Sequence, residues 1–404
     1  MNRSLVLLTV ALLASSPLLA QTDSGAFVIT LGADTIGMER YTRTADRLVD
    51  DMVMRDRTPA VTRHFVADIG PDGLVSRMEL DNQPVTPTEA AGPLHLVARY
   101  SKDEAFLDVT RNGQTTTAHV AALTGVAMLP FINFCYALYD QYGVRARALG
   151  AGGSGAGAPV KLSVLNFGGG APFDLTVTFP QRDSMGVAFE NDQPTLFKLN
   201  AAGRILGADG RLTTQKVLVT RVATLDLAAF AAAARSRTLG QLSPPDSVRA
   251  SIGGADIAID YGRPAMRGRK IFGNIVPWNQ VWRTGANFAT RLTTSVDLVM
   301  GGTTIPKGSY TLWTLPAATG AWKLIINKQT KAPCEGDACA LPTRARLWGT
   351  DYDADSDFAR VDLKVERLPR PVEQLVIAVE PQGKGGLLTV QWETTRASVL
   401  IQRK

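Results

Sequence analysis

Cysteine and histidine are both scarce in this 404-residue chain, with three of each, and the scarcity removes most metal and nucleophile chemistry at the outset. A zinc site on Cys334 and Cys339 would need two more ligands, and His64, His95 and His119 lie far away at unrelated spacings. No GxSxG, HExxH or P-loop motif occurs. Beyond Gln241 there is no histidine at all, so a serine or cysteine triad in that half would lack its base. Runs of lysine or arginine are also missing. The net charge of +6 is scattered among acids, which argues against a nucleic-acid partner. The excess is nonetheless one-sided: 21 basic residues face 15 acidic ones from Gln241 onward, so the remainder is neutral. An anionic small ligand or an anionic surface fits that balance. No cofactor is implied.

Long apolar runs are missing too, apart from the first twenty residues. MNRSLVLLTVALLASSPLLA combines a positive start at Arg3, an apolar core over Leu5–Leu13 and a small-residue end at Ala20. That pattern is a secretory signal peptide, expected to be cleaved at or near Ala20. No cysteine follows to take a lipid, and no later run reaches the ~18 residues of a spanning helix. The expected location is therefore periplasmic or secreted, with no transmembrane segment. In an oxidising compartment the short loop CEGDAC predicts a Cys334–Cys339 disulfide, whereas Cys135, in VAMLPFINFCYALY, reads as a buried, inert thiol.

What is abundant is alternation. AFVITL, VTRHFVAD, LHLVARYS, VKLSVLN, FDLTVTF, TLFKLN and KVLVTRV read as half-buried strands, punctuated by Asp72-Gly73, Asn112-Gly113 and Asp209-Gly210. Two stretches break the rhythm. Ala121–Tyr142 predicts a long apolar helix broken or kinked at Pro130, and LDLAAFAAAARS (225–236) predicts a second helix. GAGGSGAGAP (150–159) holds a formal GxGxxG but lacks the strand before and the helix after that a dinucleotide site needs, and reads as a loop.

The proline-rich, aperiodic TLGQLSPPDS marks a boundary. Beyond it, ADIAIDY, TRLTTSVDLVM, SYTLWTL, WKLIIN, ARVDLKVER, EQLVIAVE, LLTVQWE and ASVLIQ are short strands with no helical period. The chain thus reads as mainly β: a signal peptide (1–20), an N-terminal curved antiparallel sheet with one or two helices (21–237), a linker (238–246), and a C-terminal antiparallel β-sandwich or barrel (247–404).

SPPDSV, IDYGRPAMRGRKIFGNIVPWNQVWRTGANFAT, IPKGSYTLWTLP, INKQT, LWGTDYD and VQWETT together resemble the secreted bacterial family known as domain of unknown function 2911. The resemblance runs from about Ser243 to the end and implies a secreted or envelope β-rich domain without supplying a reaction. CEGDAC falls in a loop where the family pattern has no cysteine pair. The N-terminal region resembles no family.

Arginine, glycine, tryptophan and asparagine concentrate in YGRPAMRGRK (261–270) and VWRTGANFAT (281–290). Two readings stand. Trp282 can anchor the core, Gly285 can take a left-handed turn, and Arg263, Arg267 and Arg269 can pair with Asp256, Asp260 or the acids after Asp351. Alternatively Arg263, Arg267, Trp282, Arg283 and Asn287 converge on an anionic small molecule or glycan, since guanidinium groups take carboxylate or phosphate through paired hydrogen bonds. A hydrolase of envelope sugars or esters, working through facing carboxylates, and a purely structural envelope protein are the remaining alternatives. DYDADSDFARVD (351–362) imitates a calcium loop but has Ser356 where that loop needs glycine and Asp362 where it needs glutamate, so no metal ligand is assigned. Nothing in the sequence specifies an oligomeric state.

Overall fold

The computed structural model describes residues 22–88, 92–122, 127–151, 158–167, 171–189, 192–237, 239–331 and 346–404. The signal segment, most of the glycine-rich 150–159 stretch, and both Cys334 and Cys339 lie outside the described residues.

Up to Val222, fifteen strands form one sheet among the described residues. The strands from Asp23–Leu31 to Gln114–Ala121 follow one another as a meander, and the last strand, Leu218–Val222, returns to pair with the first. Alternation explains the packing. In Val61–Ile69 the residues Val61, Phe65, Ala67 and Ile69 point inward at every second position, and so does Arg63. The sheet curls around helix α1 (Tyr136–Ala148), whose Tyr136, Tyr139 and Tyr142 are fully buried. Tyr136 meets Phe27 edge-on, and Tyr136 and Tyr139 both pack on Phe197, so one helix ties the first strand to a strand late in the sheet. Each such side chain removed from water contributes about 1.5–3 kcal/mol.

The apolar stretch Ala121–Tyr142 is not one broken helix. Met128–Phe131 is a strand at the sheet's edge, and α1 begins only at Tyr136. Pro130 is tolerated because an edge strand has an unpaired side for its missing N–H, and an unbroken apolar run carries no period to tell strand from helix. Cys135, the N-cap of α1, supplies no capping side chain. Glu39 does so from a neighbouring strand, accepting hydrogen bonds from the Tyr136 (2.8 Å) and Ala137 (2.7 Å) N–H groups. Helix α2 (Leu227–Ser236) is capped by Asp226, which accepts from the Ala229 N–H at 2.8 Å.

The C-terminal region builds a nine-stranded antiparallel array among the described residues. Its first strand starts at Pro245, inside the stretch expected as linker; a proline fits at the first position of an edge strand. ARVDLKVER and EQLVIAVE belong to one long strand, Asp357–Gln382, paired with another, Gly385–Arg403. Register shifts between Arg367 and Val376 bend this hairpin. The first part of the long strand pairs with Trp322–Asn327, and Gly385–Arg403 pairs with Leu298–Met300. Phe272, Trp278, Trp282, Trp322 and Trp392 pack as one aromatic group at one end of the core.

The two cores touch through specific polar contacts. The Ala33 N–H donates to the Arg267 carbonyl (2.9 Å), and the Arg267 guanidinium pairs with Asp34 at 2.6 Å. Gly32, at φ +63°, must be glycine for this approach, because a Cβ there would stand 2.2 Å from the Arg267 carbonyl oxygen.

Candidate functional site

The YGRPAMRGRK loop separates its arginines by direction. Arg263 pairs with Asp246 at 3.3 Å and donates to the Leu375 carbonyl at 3.1 Å. Arg267 is spent on Asp34, and its own N–H donates to the Glu373 carboxylate. Neither lines a cavity with Arg283, so the expected convergence of Arg263 and Arg267 with Arg283 does not occur. Their acid partners are Asp246 and Asp34, not Asp256, Asp260 or the acids after Asp351. Arg269 is the arginine of this loop that lines the cavity with Arg283. Its Nε and Nη2 donate to the Met266 and Ala265 carbonyls (2.8 and 2.7 Å), while its buried Nη1 has no partner among the described residues. Burial, then the neighbouring Arg267 charge, lowers its pKa to about 10.

In the second stretch, Trp282 is clamped to Thr314 by two backbone hydrogen bonds of 2.8 Å, and its indole N–H reaches the Gly285 carbonyl at 3.2 Å. The left-handed positions of this turn are Thr284 (φ 54°) and Asn287 (φ 63°), and Gly285 is not among them. Gly285 sits in a tight space: a Cβ there would lie 3.0 Å from Thr290 Oγ1 and 3.1 Å from the Gly262 carbonyl oxygen. Thr284, a β-branched residue in a costly conformation, is held by a 2.7 Å hydrogen bond between its hydroxyl and that of Thr314.

Arg283 extends from this turn beside Gly349. A Cβ on Gly349 would fall 1.9 Å from Arg283 Cδ and 2.6 Å from the Asn287 carbonyl oxygen, so the glycine of LWGT exists to let the arginine pass. Among the described residues the guanidinium makes one long hydrogen bond, Nη1 to the Gly349 carbonyl at 3.5 Å, and its buried Nε has no partner. Among the described residues it forms no ion pair. Desolvation lowers its pKa to about 10, with Asp192 opposing the shift.

The opposite wall comes from the N-terminal sheet, and its residues were not expected. Lys216 (φ 59°) ends the turn after Gly210; its Nζ donates to the Ile275 carbonyl across the domain junction (3.0 Å) and to the Leu212 carbonyl (3.5 Å). Burial lowers its pKa to about 8; Arg283 pushes the same way and Asp192 opposes. A cavity of about 350 Å³ between the two halves is lined by Lys216, Arg269, Trp282, Arg283, Asn287 and Trp348, among others. An adjoining cavity of about 240 Å³ shares Lys216, Trp282 and Arg283. Phe134, Lys216 and Asn287, all lining the larger chamber, are non-glycine residues with positive φ, a strain that folds tolerate most often at working sites.

Carboxylates are few here. Asp56 lines the larger chamber and is held by two hydrogen bonds from Arg57 (2.9 and 3.2 Å). Asp192 lines the smaller one and accepts from the Thr214 N–H (2.9 Å) and hydroxyl (2.8 Å). Neither of these two chambers is lined by more than one acid among the described residues.

Two other groups of titratable side chains lie apart from this cavity. Glu39, Asp50 and Cys135 bring one ligand atom each to within 4.8 Å of one another in the N-terminal core. Burial raises the pKa of Glu39, and it raises Asp50 well above the carboxylate range with the Glu39 charge adding to the effect. Arg63, itself buried, sits close enough to act on Asp50 and Cys135. Burial thus favours the neutral form of Asp50, and Glu39 is engaged as the cap of α1. In the calcium-like run, Asp353 accepts from the Asp355 N–H and the Ser356 hydroxyl, and Asp357 is taken by Arg360, Tyr352 and Asn327.

These features define the C-terminal region as an antiparallel β-domain contributing an arginine-bearing turn to a junction cavity. Residues 243–401 match the model of the family described as Protein of unknown function (DUF2911), and the N-terminal part has no family match. No curated protein matches the chain. Among solved structures, the chain is similar to a DUF1089 family protein from Pseudomonas aeruginosa (10% identity, 44% of this chain and 92% of that chain, TM-score 0.34). It is also similar to a β-barrel-like protein of domain of unknown function DUF1849 from Brucella abortus (12% identity, 51% of this chain and 98% of that chain, TM-score 0.33).

Proposed function

We propose that this is an exported two-domain β-protein that binds an anionic small molecule or acidic glycan in the cavity between its halves. The reading rests on one observation. Lys216, Arg269 and Arg283 line a single chamber and none forms an ion pair among the described residues; the acid lining that chamber, Asp56, is already matched by Arg57, and Asp192, lining the adjoining chamber, acts on Lys216 and Arg283 without pairing with either. Burying cations without counter-charges costs stability, and an anion from outside would offset that cost. Arg283 Nε and Arg269 Nη1 are buried without a hydrogen-bond partner among the described residues, so both guanidiniums retain unused donor capacity. Trp348, 39% exposed and touching Phe288 edge-on, offers a ring face on which a sugar could stack. Hydrolysis by paired carboxylates needs two acids in one chamber; these two chambers divide Asp56 from Asp192, and a cavity that does gather acids, lined by Asp51, Asp81 and Asp226, contains neither Lys216 nor Arg283.

A thermal-shift screen of phosphates, carboxylates and acidic sugars tests the reading. Ligands of this class should raise the midpoint of the wild type and raise it less in Arg283→Lys, which keeps the charge but loses the planar fork. If none raises the wild-type midpoint, the reading fails. Export is tested by N-terminal sequencing of the extracytoplasmic protein, expected to begin at or near Gln21.

A further inference from the structure

We propose that Lys216 is a covalent anchor whose ε-amine forms an imine with an aldehyde or keto acid, the carboxylate or phosphate of that compound being held by Arg283 and Arg269. This rests on the anion-binding reading and narrows it to carbonyl compounds that carry an acid group.

Three observations place Lys216 in that role. It is the amine shared by both chambers, where the other cationic groups are guanidiniums; a guanidinium stays protonated and binds anions, whereas a desolvated lysine beside another cation is the usual imine-forming nucleophile. Its Nζ is oriented by carbonyls alone, Ile275 on one side of the junction and Leu212 on the other, and no carboxylate pairs with it among the described residues. Its backbone is held at φ 59°, a position that costs energy for any side chain with a Cβ. The lowering of its pKa to about 8 agrees, because an appreciable fraction of the amine is then uncharged near neutrality.

The step balances without an oxidant or a reductant. The nitrogen lone pair adds to the carbonyl carbon, giving a carbinolamine. The carbon–oxygen bond then breaks, and the oxygen leaves as water with the two protons the amine carried. Arg283 and Arg269 hold the acid group and act as binding residues.

The probe is glyoxylate with sodium cyanoborohydride on the full mature protein, followed by peptide mapping. Lys216 should be modified more than about tenfold faster than the exposed Lys307 and Lys384, because burial enlarges the uncharged, nucleophilic fraction of its amine. Inorganic phosphate should slow modification of Lys216 and leave Lys307 unaffected. Lys216→Arg should keep the thermal shift with phosphate and yield no adduct at that position. Modification spread evenly over the lysines, or an unmodified Lys216, overturns the proposal. Should phosphate still stabilise the wild type in that case, the anion site stands and the imine alone is lost. Should phosphate and the wider ligand screen have no effect either, both readings fall.

Discussion

Lys216 and Arg283 come from different halves of the chain, yet they line the same two cavities as like charges, and the arginine lowers the pKa of the lysine. Asp192, lining the smaller cavity, offsets part of that repulsion but forms an ion pair with neither cation among the described residues, so the pair is left incompletely compensated. Its presence in an otherwise ordinary β-rich fold is the observation on which the predictions turn.

Replacing Arg283 with Met removes a desolvated, unpaired cation while keeping much of its volume. The unliganded variant should melt at or above the wild-type midpoint, and the phosphate-induced shift should vanish. Arg283→Lys should weaken binding by about 1–3 kcal/mol, the range of charge-assisted hydrogen bonds. Calorimetric melting with and without phosphate measures both. A variant that melts lower and is still stabilised by phosphate would make Arg283 internal scaffolding.

Anion affinity should depend on pH through Lys216. Its folded pKa, about 8, lies below that of an unfolded lysine. Below pH 8 the amine is charged in both states and its burial penalty is fully present. Between that value and the ordinary lysine range the unfolded chain binds more protons, so this group's contribution to stability rises with pH. Affinity for phosphate should move oppositely, falling as pH passes 8. Titration calorimetry from pH 7 to 9.5 checks this, and Lys216→Arg should flatten the profile.

Asp50→Asn should stabilise the protein, by more as pH rises. The folded pKa of Asp50 is raised by burial and by Glu39. The folded state therefore holds a proton that the unfolded chain has released, and wild-type stability falls as pH climbs above the ordinary carboxylate range. The amide carries no such penalty. Midpoints measured from pH 5 to 8 should diverge between variant and wild type; a variant less stable at every pH would mean that Asp50 works as a carboxylate.

Gly349→Ala should cost about 1–3 kcal/mol as an overpacking change and weaken anion binding as well, because the methyl group would collide with Arg283 Cδ and the Asn287 carbonyl oxygen. Denaturant unfolding and phosphate titration of the same variant test the two effects. Unchanged binding would separate the path of Arg283 from ligand recognition.

Alternation alone marked many of the strands, because one apolar residue in two must face a core in any half-buried sheet. The same local signals placed Trp282, Arg283 and Asn287 on one turn, where the structure has them lining one cavity. Direction was beyond their reach. Arg263 and Arg267 are neighbours of Arg269 in sequence, yet they turn to Asp246 and Asp34, since a side chain's partner is set by which element packs over it. Lys216 sits at the start of KVLVTRV, which reads as an ordinary strand, and only the docking of the two sheets brings it to Arg283. The apolar run before Tyr136 lacked a period, so its division into an edge strand and a buried helix was settled by the sheet that wraps it. Sequence determined the pleat, the turns and the residue types at hand. Tertiary structure decided which charges were left without partners, because pairing depends on distances between segments that no local pattern encodes.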